Sequence, residues 1–225
     1  MRGAEGTNLR MPLTYRRKGL PMILEINSEH PEPRKIKQVA EILANGGIIA
    51  YPTDTYYGIG CDLFNKESIE KIYQLKKRSP HQPFSFICSD LKNISEYAQV
   101  TNYAYKTMKR LLPGPYTFIL EGSRLVPKIM LTKRRTVGIR VPNHEICLAI
   151  VEELGHPIIS TSATDPETND ILETPLEIKN KLGHAIDLII DAGSVNGRAS
   201  SIISLIDDTP QVLREGAGDV AAFQS

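Results

Sequence analysis

Apolar residues recur at helical spacing in several stretches of the chain. Over residues 34–44 they recur every three to four positions, and Gly46 and Gly47 follow directly, which is typical of an amphipathic helix and its C-terminal end. The same spacing predicts a helix over residues 65–77, with Asn65 as its N-terminal cap. Three more helices are predicted over residues 102–112, 144–154 and 175–182.

Short apolar runs between these stretches predict β-strands. Residues 48–51 read Ile-Ile-Ala-Tyr, a β-prone run that ends at Pro52. The residues from there to Gly60 are rich in polar side chains and glycine, so we expect a loop. Further strands are predicted over residues 84–88, 117–120, 137–141, 158–160, 188–190, 201–205 and 212–214. Helices and strands alternate first and strands cluster last, which favours an α/β fold with a mixed sheet and helices on its faces.

A chain of 225 residues, 41% of them hydrophobic, is long enough to bury the core of one large domain. It contains no internal repeat and no linker long enough to divide it. The first twenty residues are rich in Arg and lack helical periodicity. We therefore expect a disordered extension over residues 1–21, followed by a single domain over residues 22–225. A basic arm that contacts RNA is the alternative, and Met11 and Met22 are alternative starting residues.

Charge and residue content narrow the class of protein only slightly. The 27 basic and 26 acidic residues nearly cancel, so the total charge gives no argument for nucleic acid. The three cysteines stand far apart without a CxxC pair, which favours reduced thiols and a cytoplasmic location. No apolar run approaches the roughly 18 to 20 residues that span a bilayer, so we expect no membrane partner. The five histidines form neither an HxH nor an HExxH pattern, and we expect no metal site made by protein side chains.

A polar loop follows the first predicted strand. It reads YPTDTYYGIG and brings two hydroxyl groups, those of Thr53 and Thr55, close to Asp54 and two glycines. Loops at the carboxyl ends of strands are the usual ligand sites of α/β sheets, so these groups are candidates to bind an amino acid or a phosphate. The alternative is a tight turn in which the same side chains satisfy backbone donors.

Basic residues follow the second predicted helix and interrupt one strand. Lys76 and Arg78 stand in the run LKKRSP, where a point charge and a bidentate donor together suit a polyphosphate. Capping of the helix C-terminus is the alternative. Arg140 interrupts the otherwise apolar strand over residues 137–141. Because charges are seldom buried unpaired, its side chain is either paired in the core or lies in a cleft, and we favour the cleft.

Hydroxyl groups and further arginines cluster at three other places. Thr117 is the first polar residue after the turn PGPY, where a structural corner is the alternative. The run ISTSAT after another strand is suited to phosphate or a magnesium-bound oxygen, with ordinary turn hydrogen bonds as the alternative. Near the C-terminal end, Arg198 and Arg214 stand close to glycines.

Taken in order, six blocks of the chain resemble the YrdC/YciO family of threonylcarbamoyl-adenylate synthases and their relatives. The blocks are YPTDTYYGIGC, LKKRSP, LLPGPYTFIL, TVGIRVPNH, IISTSA and SSIISLIDDTPQVLREGAGD. They extend over most of residues 25–222, and the STSAT run and the last block look closest to the YciO branch. The resemblance implies a twisted mixed sheet with flanking helices around a large basic cavity.

The resemblance also implies an activity. Enzymes of the family convert L-threonine, bicarbonate and ATP, with Mg²⁺ on the phosphates, to threonylcarbamoyl-AMP and pyrophosphate, for later modification of an adenosine next to the anticodon of certain tRNAs. Some relatives are reported to bind double-stranded RNA or tRNA. A nucleotidyltransferase of this type is the first hypothesis. A YciO-like protein that binds nucleotide or RNA with little or no synthase activity is the alternative.

Matched residue by residue, the family motifs assign two groups of binding residues. The nucleotide-binding group comprises Lys76, Arg78, Thr117, Ser162, Thr164, Arg198 and Arg214. The threonine-binding group comprises Thr53, Thr55, Arg140, Ser160, Ser200 and Ser201. No side chain is assigned a catalytic role, because positioning and charge neutralisation suffice for this chemistry. The family's Ser-x-Asn reads Ser162-Ala163-Thr164 here, so a shorter hydroxyl replaces an amide, and its contact to nucleotide or metal is weakened or passes through water.

Overall fold

The computed structural model describes residues 20–77, 84–92, 94–127 and 135–224. The expected N-terminal extension lies outside the described residues, apart from residues 20 and 21, and so does Arg78. Within these ranges, no helix is both long and apolar enough to cross a membrane.

The helices that the periodicity predicts are confirmed, to within two residues at each end. The described residues form α1 (Pro33–Ala44), α2 (Lys66–Leu75), α3 (Ile94–Tyr97), α4 (Asn102–Leu111), α5 (Glu145–Leu154) and α6 (Pro175–Leu182). Asn65 caps α2 as predicted, because its Oδ1 accepts a hydrogen bond from Ser68 N at 3.0 Å. The sequence pattern does not predict α3, since a single helical turn is too short to show a period.

The predicted strands are also confirmed, and the structure adds two that the pattern does not predict, β1 and β3. The strands of the described residues are β1 (Met22–Glu25), β2 (Ile49–Tyr51), β3 (Gly58–Asp62), β4 (Ser85–Ile87), β5 (Tyr116–Glu121), β6 (Thr136–Arg140), β7 (Ile158–Ser162), β8 (Leu188–Asp191), β9 (Ser201–Ser204) and β10 (Gln211–Arg214). β1 is short and mostly exposed, so it lacks the apolar alternation that reveals a strand.

β3 shows that the predicted loop between Pro52 and Gly60 is wrong in its last three residues. All residues of β3 are buried, and the strand pairs antiparallel with both β2 and β7. A Cβ atom on Gly58 or on Gly60 would lie 3.0 Å from a ring carbon of Tyr51, so glycine allows the tyrosine ring to pack against the strand. Because glycine has a low strand propensity, the residue pattern does not predict β3.

These strands form one mixed sheet in the order β1-β8-β2-β3-β7-β4-β6-β5-β9-β10. Pairing is parallel at β1–β8, β2–β8, β4–β6 and β5–β9, and antiparallel between the other neighbours. The predicted α/β fold, a mixed sheet with flanking helices, is confirmed.

Two hydrophobic clusters cover the two faces of the sheet. The smaller cluster packs α1 and α5 against residues of four strands, namely Ile49, Tyr51, Ile87, Ile158, Leu188 and Ile190. The larger cluster packs α2, α4 and α6 against the opposite face, at Ile59, Phe86, Phe118, Ile139, Ile159, Ile189 and Ile203. Side chains of successive strand residues therefore point to different helical layers, as the pleat of a sheet requires.

A row of small residues crosses the middle of the sheet. Ser85 of β4 pairs with Ser160 of β7 on one side and with Gly138 of β6 on the other. Ser160 in turn lies opposite Gly60 of β3. Because side chains alternate along a strand and Ile87 packs with α1 and α5, this row lies on the face that carries those two helices. We call Gly60, Ser85, Gly138 and Ser160 the small-residue row. It lacks bulky side chains, which gives the ring of Tyr51 room to pack over Gly60 and Ser160.

Candidate functional site

The loop after β2 and the end of β6 place three polar residues around the guanidinium group of Arg140. Arg140 Nη2 donates hydrogen bonds to Thr55 Oγ1 (2.6 Å), to Thr53 Oγ1 (3.3 Å) and to Asp54 Oδ1. The side chains of Arg140 and Asp54 are only 12% and 10% exposed, so their ion pair is shielded from water. Arg140 Nε is buried and has no hydrogen-bond partner among the described residues. We call Thr53, Asp54, Thr55 and Arg140 the threonine–arginine cluster.

The conformation of this loop fixes the hydroxyl groups beside the guanidinium group. Thr53 Oγ1 accepts hydrogen bonds from Thr55 N (3.1 Å) and Tyr56 N (3.2 Å) and donates to Tyr56 O (2.6 Å). Asp54 Oδ2 accepts from Asn143 N at 3.1 Å, which ties the loop to the residues after β6. The turn hydrogen bonds considered as an alternative are therefore present, and they hold the cluster in one geometry.

His144 is a candidate that the sequence pattern does not single out. It precedes α5 as the N-cap residue, but its side chain makes no capping hydrogen bond. Its Nδ1 atom is buried and has no partner in the described part of the chain. Burial lowers the pKa of His144, because it disfavours the charged imidazolium, although Asp54 and Glu145 act in the opposite direction. A neutral imidazole therefore lies near the threonine–arginine cluster.

The amino group of Lys76 lies against the end of β7. Lys76 Nζ donates to Ser162 O at 3.1 Å and to Thr164 Oγ1. Thr164 Oγ1 donates in turn to Asn169 Oδ1 at 3.4 Å, so Asn169 belongs to the same group. We call Lys76, Ser162, Thr164 and Asn169 the lysine–hydroxyl cluster. It joins a cation from the end of α2 to the hydroxyl groups after β7, a combination that suits an anion.

A third cluster lies where β5, β9 and β10 meet. Thr117 Oγ1 and Ser200 Oγ are 2.9 Å apart, and both residues are buried. Arg214 donates through Nη2 to Ser200 O (2.8 Å) and to Ser200 Oγ (3.1 Å). We call Thr117, Ser200 and Arg214 the serine–arginine cluster. Ser201 faces the C-terminal segment instead, where its Oγ donates to Gly218 O at 2.6 Å.

The segment over residues 192–200, which we call the strap, joins the first and third clusters. Gly197 lies so close to the loop after β2 that a Cβ atom on it would be 2.3 Å from Thr55 O. The strap is also tied to Tyr57, the residue before β3, because Tyr57 Oη donates to Gly193 O at 2.7 Å. Its last residue is Ser200, so the strap reaches from the threonine–arginine cluster to the serine–arginine cluster.

Besides Ser201, two predicted site residues among the described ones lie outside these three clusters. Ser160 belongs to the small-residue row, where Tyr51 Oη donates to Ser160 Oγ at 2.5 Å. Burial raises the pKa of Tyr51, so its hydroxyl stays protonated and remains a donor. Arg198 is exposed on the strap, two residues before Ser200.

The three clusters are suited to binding anions rather than to covalent chemistry. Each contains one cation, provided by Lys76, Arg140 or Arg214, next to hydroxyl groups that are held by hydrogen bonds. The three cysteine thiols are buried and burial raises their pKa, which makes them poor nucleophiles. Within the described ranges, no group of three or more His, Cys, Asp or Glu side chains is placed to hold a metal ion.

A separate surface pocket of about 280 Å³ lies beside α5. It is lined by Pro31, Ser89, Asp90, Glu145, Leu148, Ala149 and Glu152. Three carboxylates in such a pocket repel phosphate, and none of its residues belongs to the three clusters. The chemistry of the clusters, rather than the volume of this pocket, therefore identifies the candidate site.

Comparison with known proteins identifies the family. The profile of the Sua5/YciO/YrdC domain, described as "Telomere recombination", matches residues 41–216. The chain is 42% identical to the uncharacterized protein YciO of Escherichia coli strain K12 over 199 residues, which cover 88% of this chain and 97% of that protein. It is 29% identical to a threonylcarbamoyl-AMP synthase of Vibrio vulnificus over 184 residues, or 80% of this chain and 98% of the synthase. The chain belongs to the Sua5/YciO/YrdC family, as the six sequence blocks predict.

Solved structures of relatives have the same fold. The crystal structure of E. coli YciO matches with a TM-score of 0.86 at 40% identity, over 91% of this chain and 100% of that chain. The crystal structure of P. abyssi Sua5 complexed with L-threonine matches with a TM-score of 0.80 at 28% identity. That match covers 87% of this chain and 57% of the Sua5 chain, so the likeness concerns little more than half of Sua5.

Proposed function

We propose that this protein forms threonylcarbamoyl-AMP and pyrophosphate from L-threonine, bicarbonate and ATP, as a nucleotidyltransferase. The observation that carries the proposal is the presence of three cations, Arg140, Lys76 and Arg214, each beside hydroxyl groups that are held by hydrogen bonds. Such an arrangement suits a substrate with one carboxylate and a second substrate with several phosphates. The synthase activity named for the Vibrio relative supports it.

The threonine–arginine cluster is the proposed site for L-threonine. Guanidinium is well suited to a carboxylate, so Arg140 binds that of the substrate through the donors that Asp54 leaves available. Thr53, Thr55 and Ser160 contribute hydroxyl groups to the amino acid. Binding of L-threonine by P. abyssi Sua5 supports this assignment.

The end of the strap completes the proposed threonine site. Ser200 is buried beside Thr117 and is held by Arg214. Ser201 contributes to this site indirectly, by holding the C-terminal segment in place, because its hydroxyl group already donates to Gly218 O. The proposed threonine and nucleotide groups therefore meet at Ser200.

ATP with Mg²⁺ is the proposed second substrate. Lys76 neutralises phosphate charge as a point charge, and Arg78, which lies outside the described residues, is its proposed partner. Ser162 and Thr164 add polar contacts to the phosphates. The proposed nucleotide group is completed by Thr117, Arg198 and Arg214.

The proposed reaction needs no covalent intermediate with the protein. The amine of threonine takes up CO₂ derived from bicarbonate and loses a proton, and an oxygen of the resulting carbamate attacks the α-phosphorus of ATP. The bond from that phosphorus to the bridging oxygen breaks, and pyrophosphate leaves with Mg²⁺. The three clusters contribute by holding the reacting groups in line and by neutralising charge on the phosphates.

A second candidate function is the binding of nucleotide or RNA with little or no synthase activity. Two observations favour it. Thr164 stands where the family pattern has asparagine, so one amide contact is missing at that position. The identity to YciO (42%) is also well above the identity to the Vibrio synthase (29%).

Threonine-dependent release of pyrophosphate separates these two functions. The purified protein is incubated with ATP, Mg²⁺, bicarbonate and L-threonine, and pyrophosphate is compared with reactions that lack threonine or bicarbonate. Release that requires both supports the synthase. If the protein binds ATP but releases no more pyrophosphate than these controls, the result supports the binding function instead of the synthase.

We expect Lys76→Ala to weaken the binding of ATP with Mg²⁺ by about tenfold or more, because a hydrogen bond to a charged group contributes about 1.5 to 3 kcal/mol. Titration calorimetry measures the affinity. The control is Lys106→Ala, which removes the same charge from an exposed position on α4 outside the three clusters. Equal affinity for the wild type and Lys76→Ala would show that the assigned phosphate site is wrong.

A further inference from the structure

The segment between β7 and α6 forms a tight hairpin over residues 163–172. Ala163 and Leu172 close it, since Leu172 N donates to Ala163 O at 3.0 Å. Thr164 pairs with Ile171 in an antiparallel bridge one step further along. The hairpin therefore has a fixed register, which determines the residues that face Thr164.

A buried carboxylate holds the tip of this hairpin. Asp165 accepts a hydrogen bond from Glu167 N (2.8 Å) and forms an ion pair with Lys181 of α6 (2.7 Å). This hydrogen bond with Lys181 lowers the pKa of Asp165, so the carboxylate remains charged and compensated. The tip is thus anchored to a helix, and its negative charge is balanced before any anion approaches.

Asn169 occupies a left-handed backbone conformation in this tip, with φ of 65°. Its backbone N donates to Asp165 O at 2.9 Å, which fixes that conformation. Asparagine adopts this region more readily than most other residues, and glycine adopts it freely. The backbone conformation explains why asparagine or glycine is favoured at this position. It does not explain why the residue carries an amide side chain, since glycine would serve equally well.

The amide of Asn169 has a definite place beside the lysine–hydroxyl cluster. Its Oδ1 accepts from Thr164 Oγ1, and Thr164 Oγ1 accepts from Lys76 Nζ. Asn169 is exposed, whereas Thr164 is 6% exposed, so the amide lies on the solvent side of the hydroxyl group. An anion that approaches the Lys76 ammonium from solvent therefore meets the amide of Asn169, which carries two donors.

We infer that Asn169 is a nucleotide-binding residue, whose side-chain amide contacts the phosphates held by Lys76. This inference rests on the proposed function of the lysine–hydroxyl cluster. The family pattern has an asparagine amide at the position of Thr164. In this chain Asn169, at the hairpin tip, supplies that amide instead. Threonine at 164 and asparagine at 169 then act as one unit, because the hydroxyl group of the first orients the amide of the second.

The test compares Asn169→Gly with the wild type, since glycine keeps the left-handed backbone conformation and removes only the amide. The probe is ATP with Mg²⁺, and affinity is measured by calorimetry. We expect Asn169→Gly to bind about tenfold more weakly, as for the loss of one hydrogen bond to a charged group. Asn169→Asp is expected to bind more weakly still, because its carboxylate lacks donors and repels phosphate. Asn180→Ala removes an exposed amide from α6 as a control and is expected to bind like the wild type.

A rescue variant separates a binding role from a structural one. Thr164→Asn combined with Asn169→Gly restores an amide next to Lys76, and we expect it to recover most of the lost affinity. Wild-type affinity in Asn169→Gly alone, or no recovery in the double variant, overturns the assignment of Asn169 while the proposed function stands. Absence of ATP binding by the wild type overturns the proposed function and the Asn169 assignment with it.

Discussion

Arg140 and Asp54 form an ion pair that water barely reaches, in the centre of the proposed threonine site. The cost of removing two charges from water is high, so such a pair persists only when further hydrogen bonds satisfy both groups. Thr55 and Thr53 accept hydrogen bonds from Nη2 of the guanidinium group, and Asn143 N donates to the second carboxylate oxygen. Nε of Arg140 has no partner among the described residues. A substrate carboxylate therefore has to share Arg140 with a carboxylate of the protein.

Arg140→Met is expected to lower the free energy of unfolding by roughly 3 kcal/mol, because it leaves the carboxylate of Asp54 shielded and without its cation. Urea denaturation measures the change. The double variant Asp54→Asn with Arg140→Met is expected to recover part of the loss, since the uncompensated charge is gone. If Arg140→Met unfolds at the same urea concentration as the wild type, the pair does not contribute to stability in this way.

The sequence indicates single residues of the site better when their role follows from a local motif. Thr53, Thr55 and Arg140 belong to recognisable blocks, and the structure brings them together. Asn169 and His144 are different, because their importance depends on which groups approach them in the fold. Asn169 meets Thr164 through a hairpin register, and an unpartnered buried nitrogen such as His144 Nδ1 leaves no mark in the sequence.

Among the elements, the strap has no regular secondary structure, yet its position is tightly constrained. Residues 192–200 lie between β8 and β9 and pass against the loop after β2. Backbone contact is close enough at Gly197 that any side chain there displaces either the strap or Thr55. The strap thus couples the geometry of the threonine–arginine cluster to that of Ser200.

Gly197→Ala is expected to destabilise the protein by roughly 1 to 3 kcal/mol, because its Cβ atom would lie 2.3 Å from Thr55 O and the backbone has to move. It is also expected to weaken L-threonine binding, since the same movement shifts the hydroxyl groups around Arg140. Thermal melts and calorimetry with L-threonine provide the two measurements. Ser194→Ala, at an exposed position of the strap, is the matched control, and equal behaviour of the two variants would contradict the close contact.

Elements with a strong period are predictable from this sequence, and elements defined by contact are not. α1, α2, α4 and α5 repeat apolar residues over at least two turns, so their positions follow from the pattern. β3 contains two glycines that allow the ring of Tyr51 to pack against the strand. This contact cannot be recognised from the residue pattern, because it forms only in the folded chain. The pairing order of the strands likewise depends on crossovers that no local pattern encodes.

In the molecule as a whole, the three cysteines are distributed over the hydrophobic clusters on both faces of the sheet. Cys61 and Cys88 lie in the larger hydrophobic cluster, and Cys147, on the buried side of α5, lies in the smaller one. Burial raises the pKa of all three thiols, that of Cys88 to about 12. The reactive thiolate is therefore scarce at every one of these positions in the folded protein.

We expect the folded protein to react very slowly with a thiol reagent at pH 8, and the unfolded protein to react at all three cysteines within the mixing time. The reason is that the reaction requires an exposed sulfur atom in its thiolate form. Burial in the folded protein both shields the sulfur atom and disfavours the thiolate. Mass spectrometry counts modified cysteines as urea is raised. Rapid modification of one cysteine without urea would show that its side of the core opens independently.

The position of β8 between β1 and β2 has a consequence for synthesis on the ribosome. Ile48 N and a carboxylate oxygen of Asp187 are 2.8 Å apart in the folded protein but are separated by 139 residues along the chain. The edges of β1 and β2 that face β8 therefore stay unpaired during translation until Leu188–Asp191 has left the exit tunnel. Unpaired strand edges readily accept strands from other chains, so the interval before β8 emerges is when the nascent protein is most exposed to misassembly.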